Sequence, residues 1–148
     1  MSGGTFAELT GWSSDASGEP RSFLSTEEHF RTVKTLQDRN LVVPVSGDFG
    51  GPKTIRAIGA WLHEKGGIVS AFYVSNVEQY LFQDGKDRAF YDNVATLPVN
   101  ASSVFIRPYS MRRGGGGPTQ SLCGIQGFLT AVAGGRLYSY NDALACVR

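Results

Sequence analysis

Apolar positions recur along this chain with two different periods, and the switch between them marks out the elements. Leu41, Val42, Val43 and Val45 form a short β-branched run of the kind that suits a buried strand. Gly47, Gly50 and Gly51 follow and let the backbone bend sharply. Pro52 fits a first helical position, because its fixed φ suits a helix start and its missing N–H would have no intrahelical partner there. Behind it Ile55, Ile58, Gly59 and Leu62 recur at helical spacing. The pattern predicts strand, glycine-rich turn, helix. Ligands of open α/β sheets bind at the carboxyl ends of the strands, so residues 46–53 are the first place to look for function.

The same reading extends over the rest of the chain. Residues 1–22 are rich in Gly, Ser and Asp, which predicts a poorly ordered arm that packs at most around Phe6, Leu9 and Trp12. Ser25 with Glu28 has the form of a capping box, and Phe30, Val33, Leu36 and Gln37 continue a helix over 26–38. Pro44 cannot donate to a ladder and places the 41–45 strand at an edge or a bulge. The helix over 52–65 should stop at Gly66-Gly67, and residues 68–74 read as a second strand. Ser75, Asn76 and Glu78 make a second Ser-x-x-Glu box for a helix over 76–83. Asp84-Gly85 breaks it, helical spacing resumes over 88–97, and a third strand over 103–107 stops at Pro108. The glycine tract 114–118 reads as a loop, after which Leu122, Ile125, Phe128, Leu129 and Val132 trace a helix ended by Gly134-Gly135. Ser139 with Asp142 then opens a last short helix.

Strand and helix alternating in this order imply a small, mostly parallel sheet with helices on its faces. Three strands are thin for a parallel sheet, so the expected fold is α/β, a partial doubly wound, Rossmann-like three-layer sandwich. Residues 23–148 are expected to form it as a single domain behind the 1–22 arm.

Composition narrows the partners. The 148 residues carry a formal net charge of +1 with no run of like charges, which argues against nucleic acid and anionic membranes, since both need a concentrated basic face. No apolar run approaches the roughly 20 residues of a membrane span, and the first residues lack a signal-peptide core. Cys123 and Cys146 are too few for a disulfide framework and have no metal-ligand spacing, so the expectation is two reduced thiols in a cytoplasmic protein.

The chemistry-bearing residues cluster at the predicted strand ends. Asp48, with Phe49 and Gly50, lies on the first loop, where its carboxylate could meet a ligand or simply accept backbone N–H bonds. Lys53 and Arg56 sit in the first turn of the following helix, whose free N–H groups could favour an anion. The GDFGGPK string is neither a P-loop nor G-x-G-x-x-G. Ser75, Asn76 and Glu78 offer either ligand recognition or helix capping. Gln79 and Tyr80 are lesser candidates, and Arg107 with Tyr109 ends the third strand. These turns are expected to share one rim. His29 and His63 have no catalytic partner in the pattern, no nucleophile or metal motif is present, and catalytic residues are not assigned.

The strings RNLVVPVSGDFGGPKTIRAIGAWL and AFYVSNVEQYLF resemble a bacterial family of Rossmann-type S-adenosylmethionine-dependent methyltransferase-like proteins. The resemblance runs over about residues 22–106, and on to GGRLYSYNDAL. It implies a larger protein whose preceding half holds the cofactor, with this chain as the C-terminal half. S-adenosylmethionine would then be bound in an intact relative and not by this chain alone. The resemblance further implies that the Asp48 loop and the Ser75-Asn76 turn line the pocket rim. Two other readings stand beside it. One is a small assembly module that pairs with itself, or with a separately encoded N-terminal half, through an open sheet edge. The other is a standalone anion- or nucleotide-binding domain using Gly50, Gly51 and Lys53.

Overall fold

The computed structural model describes residues 17–108 and 120–147. Two compact units make up the chain, Met1–Val45 and Ser46–Arg148.

In the first unit, α1 spans Glu27–Asp38. Its N-cap is Thr26, whose hydroxyl accepts the His29 N–H at 3.1 Å. Ser25, expected to cap, instead donates to the Ser22 carbonyl at 2.6 Å and meets His29 Nδ1 at 2.9 Å. None of the α1 side chains is buried, and Phe30 and Leu36 stay 42% and 40% exposed. The strand expected over 41–45 is absent. Its four apolar side chains are 50% to 68% exposed, because a strand needs a neighbouring ladder and the described part of this unit supplies none.

The second unit begins with the glycine-rich loop and α2, Thr54–Glu64. Lys53 is its N-cap, so Pro52 lies just ahead of the helix and not at its first position. The helix stops where the glycines predict. Gly66 adopts φ 65° and donates to His63, while the Gly67 N–H reaches back to the Leu62 carbonyl at 2.8 Å. Then come β1 (Ala71–Tyr73), α3 (Val77–Gln83), α4 (Asp87–Val94), β2 (Val104–Pro108), β3 (Gln120–Gly124), α5 (Ile125–Ala133) and α6 (Tyr140–Leu144).

β3 occupies the start of the expected helix. Leu122 matches the helical period, but it lies on a strand, and Gly124 holds a non-helical ψ of 122° before α5 begins. The sheet order is β1-β2-β3, with β1 parallel and β3 antiparallel to β2, so the sheet is only partly parallel. The residues expected at 114–118 as a loop, and Tyr109, lie outside the described residues.

Burial alternates along the strands. Phe105, Arg107 and Cys123 are buried, Val104 and Ile106 are half-buried, and Leu122 is 67% exposed. One sheet face is therefore covered by helices. Phe72 meets Phe90 of α4 with ring centroids 6.0 Å apart, and Phe105 meets Phe128 of α5 edge-on at 5.7 Å. The other face presents Tyr73 and Leu122 to solvent. The unit is a small α/β fold with helices packed on an open three-stranded sheet.

Cys123 of β3 and Cys146, beyond α6, form a disulfide with their Cα atoms 5.6 Å apart. This corrects the expectation of two reduced thiols, since chain topology and not spacing brings them together. Among the described residues no helix is long and apolar enough to cross a membrane.

Candidate functional site: the Asp48 loop and the buried Glu78–Arg107 pair

Two constellations hold the residues singled out in the sequence. In the loop, Asp48 Oδ1 accepts the Gly50 N–H at 2.9 Å, Oδ2 accepts Lys86 Nζ at 3.1 Å, and the Asp48 carbonyl accepts the Gly51 N–H at 3.1 Å. The Lys86 ammonium, followed by the Gly50 N–H, holds the Asp48 carboxyl below its ordinary pKa. Of the two readings of Asp48, the turn-forming one describes these bonds.

The loop is pinned from behind by α4. Asn93, only 2% exposed, donates through Nδ2 to the carbonyls of Phe49 at 3.0 Å and Gly51 at 2.7 Å. Its Oδ1 accepts Arg56 Nε at 2.7 Å, which ties α2 to the same point. The Phe49 ring leans on Phe90 at 6.1 Å. Gly50 lies against Lys86, whose Cβ would stand 3.0 Å from any added side chain. Lys53 is exposed at the start of α2.

The second constellation lies inside the core. Asn76 is the N-cap of α3, yet its side chain makes no capping bond, and Ser75 before it takes the left-handed φ of 45°. The expected Ser75–Glu78 box does not form, because Glu78 turns inward. Its carboxylate receives Arg107 Nε and Nη2, both at 2.8 Å, and the Tyr91 hydroxyl at 2.7 Å. The guanidinium also lies in the corner between two nearly perpendicular rings, 4.3 Å from the Phe105 centroid and 4.2 Å from that of Phe128. Two buried charges are tolerable in this setting because each neutralises the other with good geometry. Burial first, and then the Glu78 charge, raise Tyr91 far above its ordinary pKa. The same two causes raise Tyr140.

Arg107 Nη1 and Ser121 Oγ are buried with no hydrogen-bond partner among the described residues. No three His, Cys, Asp or Glu side chains converge among the described residues to hold a metal ion. The structure thus joins Glu78 to Arg107, gives Asp48 separate partners in Lys86 and Gly50, and leaves Asn76 exposed. Sequence reasoning missed Asn93, Tyr91 and Lys86, the residues that hold both constellations. A polar Asn93 between buried Tyr91 and Val94 was the available signal, since a buried amide must be satisfied.

Residues 8–123 match the model of a family described as Domain of unknown function (DUF7790). The chain belongs to that family. The DUF7790 span takes in the Asp48 loop and the Glu78–Arg107 pair, and it ends within β3 at Cys123. No curated protein matches the chain.

Proposed function

We propose that this chain serves as the C-terminal half of a larger Rossmann-type, methyltransferase-like α/β domain and does not bind S-adenosylmethionine alone. The observation that carries this reading is the bare edge of β1. The Val104 N–H bonds to Ser70 and the Val74 N–H to Ile106, so the alternation of a parallel ladder turns the peptide groups of Ala71 and Tyr73 outward. No strand lies on that side among the described residues.

Beside the edge runs an apolar groove of about 170 Å³, lined by Ile55, Ile58, Val69, Ala71, Phe72 and Leu97. A strand added there would extend the sheet and put apolar side chains into the groove. The partner is a polypeptide carrying the cofactor-holding half. In that assembly the pinned Asp48 loop orients the acceptor, since methyl transfer depends mainly on positioning in line with the sulfonium carbon.

Calorimetry with S-adenosylhomocysteine tests both parts. The chain alone gives no binding heat, and its equimolar complex with the N-terminal half of a methyltransferase-like protein of the kind the sequence resembles does. Binding by the chain alone would overturn the missing-half reading. A complex that forms without binding S-adenosylhomocysteine would remove the methyltransferase part.

A further inference from the structure

We infer that the Cys123–Cys146 disulfide is a redox-operated clamp, which holds α6 against α3 and releases it when a dithiol reduces the bond. Both cysteines of the sequence are committed to it. It joins a buried residue of the sheet to the segment just beyond α6, across a separation of 23 residues.

α6 has little else to hold it. Its five residues are far below the length at which a helix persists alone. Its noncovalent hold is the Ser139–Asp142 capping box, the buried Ala143, Tyr140, whose ring lies 6.0 Å from Phe82 of α3, and the flanking Leu137 and Val147, partly buried against the core. The Tyr140–Phe82 contact sets α6 against the helix that carries Glu78. Phe90, Phe105 and Phe128 also have aromatic contacts outside α6: Phe72 meets both Phe90 and Phe105, and Phe128 meets both Phe105 and Tyr91.

The two cysteines differ in exposure and in backbone conformation. Cys123 is 1% exposed, whereas Cys146 is half-buried and sits in the left-handed region at φ 54°. That φ is the left-handed cap that ends α6, where the Cys146 N–H bonds to the Ala143 carbonyl at 3.1 Å and the Val147 N–H to the Asp142 carbonyl at 3.3 Å, so Cys146 belongs to the helix end that the bond holds. A thiolate of the dithiol attacks Cys146 Sγ, the sulfur–sulfur bond breaks, and Cys123 leaves as a thiolate that takes up a proton. The second thiol of the reagent then displaces Cys146, leaving two protein thiols and a cyclic disulfide of the reagent, a two-electron exchange. Release of α6 uncovers the Phe82 side of α3 and admits water toward Glu78 and Arg107.

Amide exchange of the full chain, oxidised and then fully reduced with dithiothreitol, tests the clamp, with complete reduction verified by thiol alkylation and mass. Reduction is expected to speed exchange over residues 137–147 by at least about tenfold, with β1, β2 and α5 unchanged and reoxidation restoring the original pattern. Unchanged exchange at 137–147 would overturn the proposal. So would equal acceleration across β2 and α5, which would make the bond a global staple. The Cys146→Ser variant should show the reduced pattern in both buffers, and oxidised-like protection in it would equally overturn the clamp.

Discussion

Arg107 of β2 donates two parallel hydrogen bonds of 2.8 Å to the Glu78 carboxylate of α3 while both side chains are wholly buried. The pair ties the helix that leaves β1 to the strand that β1 pairs with, across 29 residues. Removing one partner strands the other charge in an apolar site. Glu78→Ala should cost about 3–5 kcal/mol in urea denaturation, whereas replacing both, Glu78→Leu with Arg107→Met, should recover much of it. A Glu78→Ala variant as stable as the parent chain would remove the pair from the account of the core.

Tyr91 contributes to the alkaline limit. Its folded pKa lies above the unfolded value, so the unfolded chain loses this proton first as pH rises. The contribution is fully present below pH ~10 and declines above it. Denaturation midpoints measured from pH 8 to 11 should fall beyond pH ~10, and Tyr91→Phe should flatten that fall.

Asn93 holds the loop with two hydrogen bonds and ties α2 to it through a third, from Arg56. Asn93→Ala leaves the Phe49 and Gly51 carbonyls unmatched and should cost about 1–3 kcal/mol, with faster amide exchange over 47–53. Asp48→Ala breaks only exposed contacts and should leave the denaturation midpoint where it is. A larger loss from Asp48→Ala than from Asn93→Ala would reverse the assignment.

Two helical glycines should respond with opposite signs. A Cβ on Gly59 would stand 2.8 Å from the Thr96 carbonyl oxygen, so Gly59→Ala should destabilise by about 1–3 kcal/mol. Gly127 in α5 faces open space, and Gly127→Ala should stabilise by up to about 1 kcal/mol through helix propensity. Thermal melts of the two variants decide it.

What the sequence disclosed was local. The Gly66-Gly67 stop and the Ser139–Asp142 box are visible because the bonds that make them join near neighbours. Glu78 was misread because a Ser-x-x-Glu spacing is satisfied equally by a cap and by chance, and Arg107, 29 residues away, competes more strongly for the carboxylate. Leu122 fits a helical period and a strand alike, and the pairing of Leu122 with Ile106 decides between them. The run 41–45 has strand composition, but a strand exists only where a neighbour offers its edge. Of the candidate site, the Asp48 turn was legible from its glycines, and the Asn93 anchor behind it was not.

The proposal that this chain completes its sheet on another polypeptide is tested most directly at two amides. Residue-resolved hydrogen exchange should find Ala71 and Tyr73 unprotected in the dilute chain, and slowed by about a hundredfold or more once the N-terminal half of a methyltransferase-like protein of the kind the sequence resembles is bound. Protection of both amides in the dilute chain, or rates that stay unchanged in the complex, would contradict it.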